Sequence, residues 1–224
     1  MKHLKEIKDW KETINKVVCG DSLELMRMIP DNAIDLCLTD PPYGIGYDKQ
    51  QNLMANNNRK SNGGRWKKYD DTDWDNFIPT KEYFDEMLRI SKNQIIWGGN
   101  YFITYLFKGS CWLVWNKVQR GFMSDGEMAW TSYDKGLSIF DMARTDAYIN
   151  CRDKKQHPTQ KPLELMRWCL ENYAKDCKTI IDPFAGSFTT ARACKDMGYD
   201  WICIDQEEKY CKVGEKRLEQ EVLF

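Results

Sequence analysis

The sequence predicts an α/β fold, in which a doubly wound, mostly parallel sheet is covered by helices on both faces. Short, strongly apolar segments of strand length alternate along the chain with segments of helical periodicity. Such apolar runs are typical of strands buried on both faces, and their alternation with helices is typical of parallel crossover connections. With 224 residues and 42% hydrophobic residues, the chain can bury a substantial core. We therefore expect a single domain over residues 1–224.

The pattern places each element in order. Strands are predicted at residues 16–19, 34–39, 94–97, 111–115, 127–131, 179–182 and 201–205. Helices are predicted at residues 22–28, 80–91, 162–173, 189–197 and 207–219, and Pro162 suits a helix start because its missing N–H has no partner there. Two stretches show no periodicity: the polar loop of residues 49–73 and the irregular stretch 132–158. A loop as long as the first is usually functional or disordered, and we expect it near the active site.

Composition excludes several classes of protein. No apolar run reaches the roughly 20 residues that span a bilayer, and the first residues lack an apolar signal segment, so we expect no membrane partner. Nine cysteines without a C-x-x-C pair, and only two histidines, predict no metal site. They indicate reduced thiols and a cytoplasmic protein. A net charge of −1 gives no global field for nucleic acid.

One local stretch is nevertheless basic. Residues 59–68 combine cations with an aromatic side chain, and Tyr69 follows directly. Such a run is either an ordinary solvated loop or a surface that neutralises phosphates while an aromatic ring supports an unstacked strand. The candidate nucleic-acid residues are Arg59, Lys60, Arg65, Trp66, Lys67 and Lys68.

The first chemical motif follows the predicted strand 179–182. Asp182-Pro-Phe-Ala-Gly-Ser187 is a strand, a turn of small residues and the start of a helix, which lets the backbone approach a nucleotide-like ligand closely. The next strand ends in Asp205, whose carboxylate can accept hydrogen bonds from both ribose hydroxyls. The G-x-G-x-x-G pattern is absent, which disfavours a NAD-type cofactor.

The second motif is Asp40-Pro41-Pro42-Tyr43, which follows the predicted strand 34–39. The prolines cannot donate hydrogen bonds, so the segment presents carbonyl oxygens beside the Asp40 carboxylate. Acceptors at Asp40 and Pro41 would bind the hydrogens of an exocyclic amino group and free its lone pair for attack. Asp40 is too weak a base to deprotonate a neutral amine beforehand, but it can take the proton after methyl transfer. Tyr43 can stack on a base taken out of the duplex.

Together with His157-Pro-Thr-Gln-Lys-Pro162, these two motifs resemble the S-adenosylmethionine-dependent DNA amino-methyltransferases. The catalytic tetrapeptide precedes the cofactor motif, an order that resembles the β group, whose members methylate adenine N6 or cytosine N4. The resemblance covers roughly residues 16–215. It implies a Rossmann-like sheet of the class I methyltransferase type, S-adenosylmethionine as cofactor and double-stranded DNA as substrate.

The resemblance also implies a role for individual residues. Asp40, Pro41, Pro42 and Tyr43 match the family's catalytic motif. Gly20-Asp21-Ser22 looks like the segment that meets the adenine of the cofactor, and Asp205 matches the acidic residue on its ribose. Thr159 and Lys161 match a motif near the methionine carboxylate, with a structural role favoured for His157. The loop around the methionine matches Asp182, Phe184, Ala185, Gly186 and Ser187.

Phe188 stands where the family usually has glycine, so its ring either narrows the approach to the cofactor or packs beneath the following helix. Aspartate at position 40 is typical of relatives that act on adenine, whereas serine is common in the cytosine enzymes. Adenine N6 is therefore the predicted target, with cytosine N4 as the alternative.

The remaining expectations concern specificity and setting. Residues 117–155 occupy the interval where the family places target recognition, with Arg120, Arg144 and Arg152 as candidate contacts. Homodimerisation stays open, as does the choice between an orphan bacterial or phage enzyme and the partner of a restriction nuclease. The rival classes are an amino-methyltransferase for RNA or protein glutamine, a non-catalytic DNA-binding protein and a nucleotide-dependent oxidoreductase.

Overall fold

The computed structural model of the chain describes residues 1–46, 78–118, 124–148 and 160–219. Its strands are β1 (Lys2–His3), β2 (Val17–Cys19), β3 (Ile34–Thr39), β4 (Ser91–Trp97), β5 (Trp112–Asn116), β6 (Gly126–Thr131), β7 (Ser138–Asp141), β8 (Thr179–Asp182) and β9 (Asp200–Asp205). Its α-helices are α1 (Ser22–Met28), α2 (Lys81–Ile90), α3 (Arg144–Tyr148), α4 (Leu163–Tyr173), α5 (Thr189–Met197) and α6 (Glu208–Glu219). Short 3-10 turns lie at Leu4–Glu6, Trp10–Thr13 and Gly99–Tyr101.

The nine strands of these ranges form one sheet, in the order β1-β2-β9-β8-β3-β4-β6-β5-β7. In this sheet order, the first six strands, from β1 through β9 and β8 to β4, pair with their neighbours in parallel. β6 runs antiparallel to both β4 and β5, and β7 is parallel to β5. The predicted mostly parallel sheet is therefore confirmed, with an antiparallel hairpin at one side.

Helices cover both faces of the sheet. Successive side chains of a strand point to opposite faces, and the buried residues of β4 divide accordingly: Ile95 and Trp97 belong to one core cluster and Ile96 to the other. Leu165 of α4, Ala191 of α5 and Leu218 of α6 pack in the first cluster, whereas α1 and α2 contribute to the second. Burial on both faces explains why the central strands β2, β9, β8 and β3 are mostly apolar.

The sheet order brings the functional segments together. Four neighbouring strands, β2, β9, β8 and β3, run in parallel. Their carboxyl ends therefore lie at the same edge of the sheet. Asp21, Asp205, Asp182 and Asp40 lie at or just after these four carboxyl ends. Binding sites of open α/β sheets form at this edge.

The structure departs from the sequence prediction in the stretch 132–158, where it forms β7 and α3. Of the two large apolar side chains at the centre of β7, Ile139 is 58% exposed, and Phe140 is only partly buried against a core cluster. Pairing with the free edge of β5 therefore makes this segment a strand, because its own sequence pattern is weak.

No helix in the described ranges is long and apolar enough to cross a bilayer. No group of three or more metal-ligating His, Cys, Asp or Glu side chains occurs there either. Eight cysteines fall within these ranges, all of them free thiols and all but Cys177 buried, as expected for small apolar side chains.

Candidate active site

A cavity of about 290 Å³ opens at the carboxyl edge of β2, β9, β8 and β3. Five carboxylates and one ammonium group line it, along with apolar side chains. Its charged lining residues are Asp21, Asp40, Asp182, Asp205, Glu207 and Lys161. Its remaining walls include Gly20, Ser22, Pro42, Ile78, Pro79, Thr80, Tyr83, Gln160, Phe184, Ala185, Gly186, Ser187 and Tyr210. The excess of negative charge favours a cationic ligand.

Asp182 braces the loop that follows β8. Its carboxylate accepts hydrogen bonds from Thr39 Oγ1 at 2.7 Å, from Thr190 Oγ1 at 2.6 Å and from the backbone N–H of Phe184 at 3.1 Å. Burial raises the pKa of Asp182 to about 6 despite these bonds. Both oxygens accept from the protein, so Asp182 ties β3, the loop and α5 together at the cavity wall.

Asp205 performs a similar task at the end of β9. Its carboxylate accepts the backbone N–H of Gly186 at 2.9 Å and that of Glu207 at 2.8 Å. Burial raises the pKa of Asp205 to about 7, although both hydrogen bonds favour the ionised form. A ligand hydroxyl that donates to this carboxylate would therefore bind best to its ionised form, which predominates above neutral pH.

Another part of the cavity wall is formed by Asp21, Tyr83 and Phe184. Asp21 is the N-cap of α1, where its Oδ1 accepts the backbone N–H of Leu23 at 2.8 Å and the hydroxyl of Tyr83 at 2.9 Å. The Tyr83 and Phe184 rings lie 5.5 Å apart. This wall combines an acidic cap with two aromatic rings, which suits a flat, amino-bearing heterocycle.

The tetrapeptide of residues 40–43, which directly follows β3, lies at one end of the cavity. The hydroxyl of Tyr43 donates to Asp40 Oδ1 at 2.6 Å, and the ammonium of Lys161 donates to Asp40 Oδ2 at 2.6 Å and to the Tyr43 oxygen at 3.1 Å. Burial raises the pKa of Asp40, and the ammonium of Lys161 opposes part of this rise. Asp40 keeps 20% of its side-chain surface exposed, so it remains accessible beside the cavity.

Two residues outside the motif hold the Tyr43 ring. It stacks on Tyr101 with the ring centroids 4.8 Å apart and the planes at 16°. It also approaches Gly98, where a Cβ would lie 2.1 Å from Tyr43 Cε1 and where φ is +72°. Only glycine fits both demands at position 98, so the turn after β4 is built around this ring.

The match to a protein family decides the class. Residues 96–216, more than half of the chain, match the N6_N4_Mtase family, which is described as DNA methylase. The chain belongs to this family of DNA methylases. The predicted class of DNA amino-methyltransferase is thereby confirmed.

Two curated relatives align with nearly the whole chain of this DNA methylase. Type II methyltransferase M.HinfI of Haemophilus influenzae is 28% identical over 92% of the chain and 69% of its own length. DNA adenine methyltransferase YhdJ of Escherichia coli K12 is 24% identical over 91% of the chain and 82% of its own length. The methylase is thus similar to these two bacterial proteins over about nine tenths of its length.

Two solved structures share the fold. The complex of M1.HpyAVI with SAM has a TM-score of 0.54 at 21% identity, covering 91% of this chain and 99% of that one. The PvuII cytosine-N4-specific DNA methyltransferase has a TM-score of 0.59 at 15% identity, covering 93% and 87%. These likenesses confirm the predicted class I methyltransferase fold.

The cavity unites most of the residues that the sequence nominated. Of the predicted cofactor residues, Asp21, Ser22, Lys161, Asp182, Phe184, Ala185, Gly186, Ser187 and Asp205 all line it. Asp40 and Pro42 of the catalytic motif line it as well, with Pro41 and Tyr43 beside them. Thr159, His157, Arg120, Arg152 and the whole basic stretch 59–68 lie outside the described residues. Lys161 is bound to Asp40 and Glu127, so its ammonium is engaged at the catalytic end.

Sequence reasoning missed four residues of this site: Lys117, Glu127, Tyr83 and Tyr101. Tyr83 falls within the predicted helix 80–91, where an aromatic residue signals packing and no ligand contact. Tyr101 comes two residues after Gly98-Gly99, and such a glycine pair signals a close backbone approach. Lys117 and Glu127 belong to the β5–β6 hairpin, where Glu127 pairs with Trp115 in register. A charged residue among strand residues was the available signal, since a buried charge requires a partner.

Phe188 does not narrow the approach to the cavity, and its ring packs against α6 rather than beneath the helix that follows it, α5. The residue is fully buried with φ of +59° and does not line the cavity. Its ring rests on Gly214 of α6, where a Cβ would lie 2.4 Å from Phe188 Cδ2. Arg217 of α6 supports the same turn, donating to the Ser187 carbonyl at 2.7 Å and to Thr189 Oγ1 at 2.8 Å. α6 therefore supports the loop of residues 182–187 on the side away from the cavity.

Gly214→Ala is expected to lower the free energy of unfolding by about 1–3 kcal/mol, because its methyl group would overlap the buried Phe188 ring. In a helix without this contact, the same change usually stabilises by up to about 1 kcal/mol. In a Phe188→Ala background, Gly214→Ala should no longer destabilise the protein, because the free-energy changes of substitutions at contacting residues do not add. Urea denaturation of the four proteins of this cycle measures the coupling, and an additive cycle would rule out the contact.

Proposed function

We propose that this DNA methylase is a β-group enzyme that transfers a methyl group from S-adenosylmethionine to N6 of an adenine flipped out of double-stranded DNA. The observation that carries the proposal is the position of Asp40 and Tyr43 at one end of a negatively lined cavity. Aspartate at position 40 and the name of the adenine-specific relative favour adenine. Cytosine N4 is the alternative, favoured by the fold shared with a cytosine-N4 enzyme.

The residues of the cavity fit the cofactor. S-adenosylmethionine carries a positive sulfur and an ammonium group, and the lining supplies five carboxylates against one ammonium. Asp205 would hold the ribose hydroxyls, Asp21 and Ser22 the adenine, and residues 184–187 the methionine part. When bound, the cofactor supplies a methyl group attached to a good leaving group. The named complex of a related fold with SAM agrees with this assignment.

The chain itself supplies orientation and a proton acceptor. Asp40 and the Pro41 carbonyl accept the amino hydrogens of the base, which turns the nitrogen lone pair towards the cavity. Once the nitrogen carries the methyl group, one N–H bond breaks, its electron pair stays on nitrogen, and the proton passes to Asp40. Tyr43 stacks on the base, and Tyr101 supports its ring at 4.8 Å. Proximity and orientation account for most of the rate in such a site.

The basic stretch 59–68 is proposed as the main contact to the DNA backbone, on composition alone. Neutralising Lys67 and Lys68 together should weaken DNA binding. It should also reduce the slope of log affinity against log salt by about 2, the change expected when two phosphate contacts are lost. Fluorescence anisotropy with a labelled duplex from 50 to 200 mM salt measures this slope. A slope equal to that of the wild type would make the stretch ordinary solvated surface.

Residues 117–155 remain the proposed recognition region, and homodimerisation and a cytoplasmic location remain predictions.

The test of the function is transfer of labelled methyl groups from S-adenosylmethionine to mixed-sequence duplex DNA, followed by nucleoside analysis. N6-methyladenine is the expected product. N4-methylcytosine would keep the chemistry and overturn the choice of base. Label in RNA or protein but not in DNA, at saturating cofactor, would overturn the proposed substrate.

A further inference from the structure

Four charged side chains form a continuous chain of ion pairs that ends at Asp40 of the tetrapeptide. In order, they are Lys117, Glu127, Lys161 and Asp40. The Lys117 ammonium lies 2.6 Å from Glu127 Oε1. The Lys161 ammonium lies 2.9 Å from Glu127 Oε2 and 2.6 Å from Asp40 Oδ2. Glu127 therefore touches both ammonium groups, and Lys161 lies between two carboxylates.

This chain of charges is buried. The side chains of Lys117 and Lys161 are 2% and 6% exposed, and those of Glu127 and Asp40 are 23% and 20% exposed. Lys117 follows β5 and Glu127 lies on β6, so both come from the antiparallel hairpin, away from the strands that carry the cofactor residues. Burying four charges is costly, and each must be paired to persist. An arrangement of this cost beside the reacting groups points to a task in catalysis.

The two carboxylates differ in basicity. Burial favours protonation of Glu127, but the ammonium groups of Lys161 and Lys117 outweigh it and lower its pKa to about 2. Burial raises the pKa of Asp40; Lys161 opposes this rise, and the negative charge of Glu127 adds to it. Glu127 thus stays ionised, while Asp40 is the more basic carboxylate of the pair.

We infer that Glu127 is a positioning residue for methyl transfer: it shares the Lys161 ammonium with Asp40, which weakens the hold of that ammonium on Asp40 and lets Asp40 accept the proton of the target amino group. The inference rests on the proposed function. Without Glu127, the Lys161 ammonium would have Asp40 as its remaining carboxylate partner in this chain of charges. It would then bind Asp40 more tightly and compete with the target base for the same oxygens.

Glu127→Gln tests this inference. We expect kcat to fall about tenfold to a hundredfold, the size of loss that small misplacements in a catalytic site produce. KM for S-adenosylmethionine should stay within about twofold, since Glu127 does not line the cavity proposed for the cofactor. Removing a nearby negative charge lowers the pKa of Asp40, so the acidic limb of the kcat/KM profile should move to lower pH. A kcat and pH profile equal to those of the wild type would overturn the inference.

A second variant separates positioning from the mere neutralisation of Lys117. Glu127→Gln combined with Lys117→Met restores the balance of charges, so it should fold even where the single variant is unstable. Positioning predicts that the double variant keeps the low kcat and the shifted profile, and that Glu127→Asp recovers part of the rate. Full recovery in the double variant would reduce Glu127 to a structural counter-ion. Asp85→Asn, in an exposed pair with Lys81, is the matched control and should behave as the wild type.

A measurement without turnover distinguishes this inference from the proposed function. The pKa of Asp40 can be followed by carboxyl 13C NMR in the wild type and in Glu127→Gln, with Asp40→Asn identifying the signal. A lower pKa in Glu127→Gln supports the shared charge even if no methyl transfer to DNA is found. An unchanged pKa overturns it even if the wild type is fully active.

Discussion

Asp40→Asn is expected to lower the rate of methyl transfer by about 10²- to 10⁴-fold, the usual contribution of a positioned proton acceptor. The asparagine amide cannot take the proton that the methylated nitrogen must lose. Its NH₂ group would also face donors, since Tyr43 and Lys161 both donate to the oxygens of Asp40. Single-turnover transfer of labelled methyl to DNA measures the effect at saturating cofactor.

Binding of the cofactor should survive this substitution. The loop of residues 184–187 is held by Asp182 and Asp205, through hydrogen bonds that do not involve Asp40. Equilibrium binding of S-adenosylmethionine by calorimetry is therefore the control, with Asp85→Asn as the variant that should match the wild type in both assays. Wild-type turnover in Asp40→Asn would remove the assignment of the tetrapeptide as catalytic.

Lys161→Met is expected to lower the free energy of unfolding by about 3–5 kcal/mol at pH 8, the usual cost of removing one partner of a buried ion pair. Lys161 pairs with Asp40 and Glu127, and Glu127 retains Lys117 in the variant. The cost therefore falls mainly on Asp40, whose charge loses its ammonium partner. Lys81→Met, which breaks an exposed pair with Asp85, should change the stability little.

The cost should depend on pH, with a definite sign. In the wild type, burial already raises the pKa of Asp40, and Lys161 holds back part of this rise. Without Lys161 the folded-state pKa of Asp40 rises further above its unfolded value of about 3.9. A carboxyl with a raised pKa stabilises the fold fully below the unfolded pKa and loses that contribution as the pH rises through the folded pKa. The variant should thus be closer to the wild type at pH 5 than at pH 8.

Urea denaturation of wild type and Lys161→Met at the two pH values checks this prediction. An equal loss of stability at pH 5 and pH 8 would mean that the lost packing of the lysine stem dominates and that the ion pair contributes little.

Several elements could be read from the sequence alone to the residue. The bounds of α1, β3, β8 and α5 agree with the predicted segments, because each is an apolar or amphipathic run that begins or ends at a clear signal. Asp21 caps α1 through a hydrogen bond to the backbone of Leu23, and the prolines after Asp40 and Asp182 end their strands. Local physics decides these boundaries.

The site was predictable for a similar reason. Most of the proposed cofactor and catalytic residues directly follow strands, and parallel neighbouring strands carry such residues to one edge whatever the rest of the chain does. Residue type and position indicate the chemistry of three segments: the tetrapeptide, the small-residue turn and the acidic end of β9. The sequence by itself therefore determined the α/β class, the order of the motifs and most of the cavity lining.

Only the tertiary structure decided which charges meet. Asp40 and Lys161 are 121 residues apart, and Glu127 and Lys117 reach them from a hairpin whose own pattern shows charged residues but not the partners that they meet. Likewise, Phe188 could have narrowed the cavity, and the position of Gly214 decided that its ring packs under α6 instead. Ion pairs and close contacts between distant segments depend on how the sheet edges and helices come together. No local periodicity encodes that arrangement.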